Sequence, residues 1–174
     1  MHKGFSLIEL LIVILIVSIV YYLGFEGFTM QKSEPKPLTP INLKSEIVNS
    51  ELYEGQATFM CLDKCRTCYL RSELSSDFQP YPHKVDLQNL KAYTLDENDA
   101  LVRVEYGRYD NKKICLVMDF HKNGSSTQII LENTDGTYFL PSFFGEVVRF
   151  DSPQEAKEYW VEKSHTLYDS GAFY

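Results

Sequence analysis

The first part of the chain is one long apolar run. Between Phe5 and Phe25 every side chain is Leu, Ile, Val, Tyr, Phe, Gly or Ser, apart from Glu9. These 21 residues are enough for a membrane-spanning helix, which needs ~20 apolar residues to cross the hydrocarbon core of a bilayer. The pattern therefore predicts a transmembrane helix, which we place at residues 5–30.

Glycine and proline limit the length of this helix. Gly24 and Gly27 weaken it, and three prolines between residues 31 and 40 end it, because proline lacks the backbone N–H and restricts the residue before it. Residues 31–40 are therefore predicted to form a stiff linker, and residues 41–174 a globular domain.

Tight-turn signals separate the apolar segments of the globular domain. Asn-Gly and Asp-Gly suit two-residue hairpin turns because both residues tolerate positive φ. The predicted elements are, in order, strand 101–108, turn 109–112, strand 114–120, turn Asn123-Gly124, strand 127–131, turn Asp135-Gly136, strand 137–140 and a further strand at 146–150. Three hairpins in series predict an antiparallel meander.

A helix is predicted at the end of the chain. Ser152-Pro153-Gln154-Glu155 has the form of a capping box with proline at the first helical position. Ala156, Tyr159, Trp160 and Lys163 then share one face, so the aromatic rings are expected to pack on the sheet. The predicted fold class is α+β: a transmembrane helix followed by a small head with an antiparallel meander and a C-terminal helix.

The charge of the chain narrows the choice of partners. The formal net charge is −7, with 17 Lys and Arg against 24 Asp and Glu and no long basic run. A protein that binds nucleic acid through charge needs a basic surface that displaces counterions from phosphates. We therefore predict no direct nucleic-acid binding, although a small local basic patch remains possible.

Glu9 distinguishes three interpretations of the apolar run. A cleaved secretory signal requires a shorter apolar stretch and a small-x-small cleavage site, which the segment after Tyr21 does not offer. A plain membrane anchor accounts for the length but leaves Glu9 unexplained, because a carboxylate at the centre of a membrane helix costs ~2.5–3.5 kcal/mol. An acid inside a membrane helix indicates a function and a partner.

The third interpretation supplies that partner. Lys3-Gly4-Phe5-Ser6-Leu7-Ile8-Glu9-Leu10 closely resembles the processing motif of type IV prepilins and type II secretion pseudopilins. The resemblance implies that a membrane prepilin peptidase cuts after Gly4, that Phe5 becomes the N-methylated first residue, and that Glu9 acts in subunit assembly. It also implies a leader at residues 1–4 and a pilin-like fold.

The expected function follows from this resemblance. The chain would be a minor pilin or pseudopilin of a filament machine for type II secretion, pilus assembly or DNA uptake. Its partners would be the prepilin peptidase, other pilin or pseudopilin subunits, the inner-membrane assembly platform and membrane lipid. Lys3 before the apolar run places the N-terminus in the cytoplasm, so the head would lie in the bacterial periplasm. The alternative is a membrane-tethered periplasmic binding module that never polymerises.

Four cysteines complete the candidate site residues. Cys61, Cys65 and Cys68 share the C-x-x-x-C-x-x-C spacing of radical S-adenosylmethionine enzymes, but the chain is too short for the barrel of those enzymes. A zinc site with Cys115 as fourth ligand stays a minor alternative. In an extracytoplasmic domain, disulfides are favoured, and four cysteines allow three pairings. A hairpin of residues 57–62 and 66–71 favours Cys61–Cys68 with Cys65–Cys115.

No catalytic or cofactor-binding motif is recognisable elsewhere. The histidines are scattered, no glycine-rich phosphate loop follows a strand, and the acidic residues 96, 97 and 99 are typical of a solvated turn rather than a calcium site. We therefore expect no enzyme activity, no cofactor and no metal.

Overall fold

The protein was analysed as a computed structural model, which describes residues 7–26, 36–143 and 145–169. By compactness the chain divides into two units, Met1–Glu34 and Pro35–Tyr174, which are treated separately below.

The first unit contains one helix, α1 (Leu7–Glu26). Its side chains from Leu7 to Tyr21 are all exposed. The hydroxyl of Ser18 donates a hydrogen bond of 2.8 Å to the carbonyl oxygen of Ile14, so this polar group is satisfied within the helix. None of the helices in the described part of the chain has both the length and the apolarity that a membrane crossing requires.

The second unit, called the head, is built on two five-stranded antiparallel sheets. The first sheet has the strand order β3-β2-β1-β7-β6 and consists of β1 (Ala57–Leu62), β2 (Thr67–Arg71), β3 (Gln79–Pro80), β6 (Arg108–Tyr109) and β7 (Lys112–Phe120). The second sheet has the order β10-β9-β8-β4-β5 and consists of β4 (Lys91–Leu95), β5 (Leu101–Arg103), β8 (Ile129–Asn133), β9 (Gly136–Leu140) and β10 (Val148–Phe150).

One hydrophobic core is shared by both sheets. Phe59 and Met118 of the first sheet and Leu131 of the second are fully buried members of the same cluster. The short helix α2 (Leu43–Val48) adds Leu43 and Ile47, both fully buried. The core-facing side chains of β1 and β7 are therefore covered by the second sheet and by α2.

The second sheet is covered on its other face by helix α3 (Pro153–Asp169). Successive strand residues point to opposite faces, so Ile129 and Leu131 enter the shared core while Ile130 joins a second cluster with Phe139 and Ala156. The rings of Phe139 and Trp160 lie 5.4 Å apart, centroid to centroid. The predicted C-terminal helix and its packing face are confirmed.

The predicted meander is interrupted, because its strands are divided between the two sheets, although β8, β9 and β10 do pair in series. β7 lies in the first sheet and β8 in the second, so the Asn123-Gly124 turn joins sheets rather than hairpin partners. Gly124 has the expected positive φ of 79°. The segments on either side of the turn, however, are joined only by an isolated β-bridge between Phe120 and Ser126. A turn motif predicts where the chain reverses its direction. Which strands pair with each other depends on which side chains of each strand are buried.

The predicted strand 101–108 is also divided. Leu101–Arg103 pairs with β4 in the second sheet, whereas Arg108–Tyr109 pairs with β7 in the first. Between them Gly107 adopts a φ of 78°, which glycine reaches without steric cost. The hairpin across Asp110-Asn111 and the hairpin of β8 and β9 are both present, but the turn of the second is Thr134-Asp135, one residue before the predicted Asp135-Gly136.

Candidate functional site

The N-terminal candidate residues are only partly described. Gly4 and Phe5, the predicted cleavage and methylation site, lie outside the described residues. Glu9 lies in the first turn of α1. Negative charge is favourable in the first turn of a helix, where backbone N–H groups lack intrahelical partners.

The surface of α1 is apolar on every side. Leu7 is 78 % exposed, Leu15 60 % and Val20 63 %. A helix that is hydrophobic all round requires an apolar covering, either a membrane or other protein. Glu9 is the one charged side chain on that surface between Leu7 and Tyr21.

The four cysteines of the head form two disulfide bonds, Cys61–Cys68 and Cys65–Cys115. Cys61 and Cys68 are directly opposite in the β1–β2 hairpin, with their Cα atoms 4.1 Å apart. This is the pairing that the hairpin argument favours. The zinc and iron–sulfur alternatives do not fit this structure, because both require thiolates.

The second disulfide fixes an unusual turn. Asp63, Lys64 and Cys65 all have positive φ, at 50°, 57° and 61°. Non-glycine residues occupy this region at a cost, so the surrounding structure must hold them there. Cys65 is held by its bond to Cys115, which lies where the β1–β7 register shifts between Cys61 and Leu62. The shift is a bulge, and bulges re-aim a side chain.

A polar network joins the neighbouring strands β4 and β8 of the second sheet. Lys91 and Glu132 are opposite on β4 and β8 and form a salt bridge of 3.3 Å. The hydroxyl of Tyr93 donates a 2.6 Å hydrogen bond to Glu132, and this bond, with the help of Lys91, holds the pKa of the Glu132 carboxyl below its ordinary value. Burial, reinforced by the same carboxylate, raises the pKa of Tyr93 to about 12.

The remaining titratable groups provide no metal centre among the described residues. No three His, Cys, Asp or Glu side chains in that part of the chain are placed so that they hold a metal ion. The ring of His83 packs edge-on against Tyr81 at 5.5 Å. His121 donates its backbone N–H to the Ser125 carbonyl in a turn.

The comparison with known protein families agrees with the N-terminal motif. Residues 1–20 match the family model of the prokaryotic N-terminal methylation motif. This motif marks a prepilin-type protein. The chain therefore carries the prepilin-type signal found in type IV pilins and pseudopilins. No curated protein and no solved structure matches the chain.

Proposed function

We propose that this chain is a minor pilin or pseudopilin, a structural subunit of a type IV filament machine anchored in the bacterial inner membrane. The observation that carries the proposal is the methylation motif at residues 1–20 with Glu9 inside it. The motif predicts processing by a prepilin peptidase and assembly with other pilin or pseudopilin subunits on a membrane platform.

Processing would create a positive charge that can pair with Glu9 of a neighbouring subunit. A cut between Gly4 and Phe5 leaves a new α-amino group on Phe5, which is cationic at neutral pH. In an apolar environment this cation and the Glu9 carboxylate are each costly alone, and a pair between neighbouring subunits relieves both. Such a pair would also set the axial register of one subunit against the next.

The apolar surface of α1 supports both proposed steps, insertion into the membrane and assembly with other subunits. Before assembly, the apolar sequence from Phe5 to Phe25 would lie in the inner membrane, with the head in the periplasm. After assembly, the same exposed side chains would pack against α1 of neighbouring subunits. This role requires a leader, predicted at 1–4, a helix, predicted at 5–30, a linker, predicted at 31–40, and a head, predicted at 41–174. The linker would be shorter than predicted, because Leu38 is already buried in the head.

The head favours a specialised subunit over the main component of a long fibre. Prolines at positions 35, 37 and 40 shorten the helical stalk, and Leu38 is already fully buried in the head, where its N–H bonds the Lys84 carbonyl at 2.8 Å. Two disulfides staple the head for an oxidising compartment. Secretion, pilus assembly and DNA uptake all accommodate such a subunit.

Intact-mass spectrometry tests the processing step. Protein purified from cells with the prepilin peptidase should lack Met1–Gly4 and carry a methylated Phe5. Gly4→Val should abolish the cut, whereas Gly24→Val, the same change further along the segment, should leave it intact. An unprocessed N-terminus in peptidase-containing cells would refute the proposal.

A second experiment separates a filament subunit from a membrane-tethered module. Glu9→Gln removes the negative charge and keeps the shape of the side chain. The amount of protein that detergent extracts from the membrane should therefore be unchanged, whereas cross-linking between subunits should be lost. Cross-linking that is equal in the wild type and in the variant would remove the assembly role of Glu9. Absence of any cross-linked subunits in either protein would favour the non-polymerising module.

A further inference from the structure

The head contains a cleft of about 660 Å³ between the edges of its two sheets. One wall comes from the second sheet and includes Ala92 and Arg103, and the other from the first sheet and includes Ile114. Leu90 and Ala92, both buried, contribute an apolar floor. Small-molecule sites in proteins commonly have volumes of ~300–1,000 Å³ and largely apolar walls with a few polar groups.

The cleft is cationic in an acidic protein. Six of the 17 Lys and Arg of the chain line it, but only two of the 24 Asp and Glu, namely Asp63 and Glu105. The six cations are Lys64, Lys91, Arg103, Arg108, Lys112 and Lys113. The whole chain has a net charge of −7. The positive charge at the cleft is therefore a local feature, opposite in sign to the net charge of the chain.

Most of these cations form no salt bridge within the described part of the chain, although Arg103 acts electrostatically on Glu132. Within the described ranges, only Lys91 of the six has a carboxylate within 4 Å, that of Glu132 at 3.3 Å. Arg108 is directly opposite Lys113 in the β6–β7 hairpin. Like charges in opposite strand positions destabilise a sheet, so the arrangement carries a cost that folding alone does not explain. An anion in the cleft would remove that cost.

The cleft is also held in shape. Four of the seven non-glycine residues with positive φ line it: Asp63, Lys64, Asn89 and Asn111. Strained backbone of this kind concentrates at functional sites. The Cys65–Cys115 disulfide fixes the turn that carries Lys64 to the strand that carries Lys113. The cations on the first-sheet wall of the cleft therefore need little reorganisation to meet a ligand.

We propose that this cleft binds a small organic anion that carries phosphate groups. The cations supply charge-assisted hydrogen bonds to phosphate oxygens, with the planar guanidinium groups of Arg103 and Arg108 suited to two-point contacts. The apolar floor takes the organic part of the ligand. This proposal concerns the head alone and stands apart from N-terminal processing.

Size and charge disfavour a polymeric anion. Most acidic residues of the head do not line the described cleft, so a long polyanion would meet more carboxylates than a ligand of the cleft's size. No aromatic side chain lines the described cleft, and single-stranded nucleic acids are bound largely by stacking on aromatic rings. A small ligand fits both observations.

Titration calorimetry of the full chain in a non-ionic detergent tests the proposal. Fructose 1,6-bisphosphate is the probe, fructose the uncharged control, and the measurement is made at low ionic strength, where exposed charges are least screened. We expect saturable one-to-one binding of the bisphosphate and none of fructose. Absence of saturable bisphosphate binding would overturn the proposal.

Matched variants locate the binding. Arg103→Gln with Lys113→Gln removes one cation from each wall, and the loss of two charge-assisted contacts should raise the Kd at least ~10-fold. Lys84→Gln with Lys122→Gln changes the net charge equally but lies outside the cleft, and its Kd should stay within ~2-fold. Equal weakening in both double variants would refute a specific site. Trp160 fluorescence verifies that each variant is folded.

Short duplex DNA provides the competing outcome. If the duplex bound the wild-type chain more tightly than the bisphosphate did, and if the cleft variant lost that binding, the ligand would be a nucleic acid and the small-anion proposal would be wrong. The expected result is weaker duplex binding that does not distinguish the two double variants.

Discussion

The two disulfides should contribute unequally to the stability of the head. The Cys65–Cys115 bond joins residues 50 positions apart, whereas Cys61–Cys68 joins residues 7 apart. A disulfide restricts the unfolded chain, and in the chain-entropy model the closed loops of 50 and 7 residues correspond to about 4.1 and about 2.4 kcal/mol. The paired substitutions Cys65→Ala/Cys115→Ala should therefore destabilise the head by about 1.7 kcal/mol more than Cys61→Ala/Cys68→Ala.

The comparison is internally controlled. Each variant removes two sulfur atoms and leaves two alanines in the first sheet or its turn, so differences in side-chain volume largely cancel. Urea unfolding of the full chain in a non-ionic detergent can be followed by Trp160, the only tryptophan, which packs on the second sheet and reports loss of the whole head. The m-value should be compared between variants, because a change in m indicates a change in the unfolded state.

The outcome distinguishes two physical accounts of the bonds. A greater loss for the long-range pair supports the loop-entropy account. Equal losses, or a greater loss for Cys61–Cys68, would refute it and would indicate that the bonds act mainly through native-state contacts. Cys61 and Cys68 are direct cross-strand partners, so a contact-based effect would be strongest for that pair.

Two further predictions concern single side chains of the head. Tyr93→Phe removes the 2.6 Å hydrogen bond that lowers the pKa of Glu132, and it should cost ~1 kcal/mol at pH 7. A lowered carboxyl pKa stabilises the fold above the ordinary pKa and loses that effect as pH falls through the folded-state value. The wild-type advantage in urea unfolding should therefore shrink at acidic pH; a constant advantage from pH 7 to acid would contradict this role. Ser152→Ala removes the hydroxyl that accepts the Glu155 N–H at 3.3 Å, and it should cost ~0.5–1 kcal/mol in thermal unfolding. Ser164→Ala in the same helix should be neutral, and equal effects would argue against a capping role.

Local signals predicted the parts of the fold in which partners are close in sequence. The cysteine pairing followed from the hairpin predicted at 57–62 and 66–71, and the register of β1 and β2 places Cys61 opposite Cys68. Helix α3 followed from the capping box: Ser152 accepts from the Glu155 N–H, while the Glu155 carboxylate accepts from the Asp151 N–H at 3.3 Å. In each case the deciding contacts span fewer than about ten residues, so the chain pattern contains them.

Other elements depend on distant partners. Strand β4 and helix α2 were not predicted, because α2 has only six residues and no side-chain cap, and β4 is defined by its pairing with β8 and β5. The Asn123-Gly124 turn was identified, yet its flanking strands join different sheets. The buried residues Leu116, Met118 and Phe120 of β7 find their partners across the core, which no turn motif encodes.

The cationic cleft was missed for a related reason. Its six basic residues are spread from Lys64 to Lys113 and form no run, so composition and local pattern indicate an acidic chain without a basic surface. The cations meet only because β5 ends one sheet and β6 ends the other, and because Gly107 allows the chain to pass from one edge to the other. The prediction of no direct nucleic-acid binding remains untested by this geometry.

The division of the chain makes assembly and ligand binding separable. The apolar side chains of α1 are exposed and require an external covering, whereas the core of the head lies between its own sheets and carries both disulfides. A substitution of Glu9 should then leave the cleft able to bind anions. A substitution of cationic residues in the cleft should leave processing after Gly4 intact. If the filament presents the head to its surroundings, anion binding would be a property of each subunit, and assembly would multiply it along the filament without changing the affinity of a single cleft.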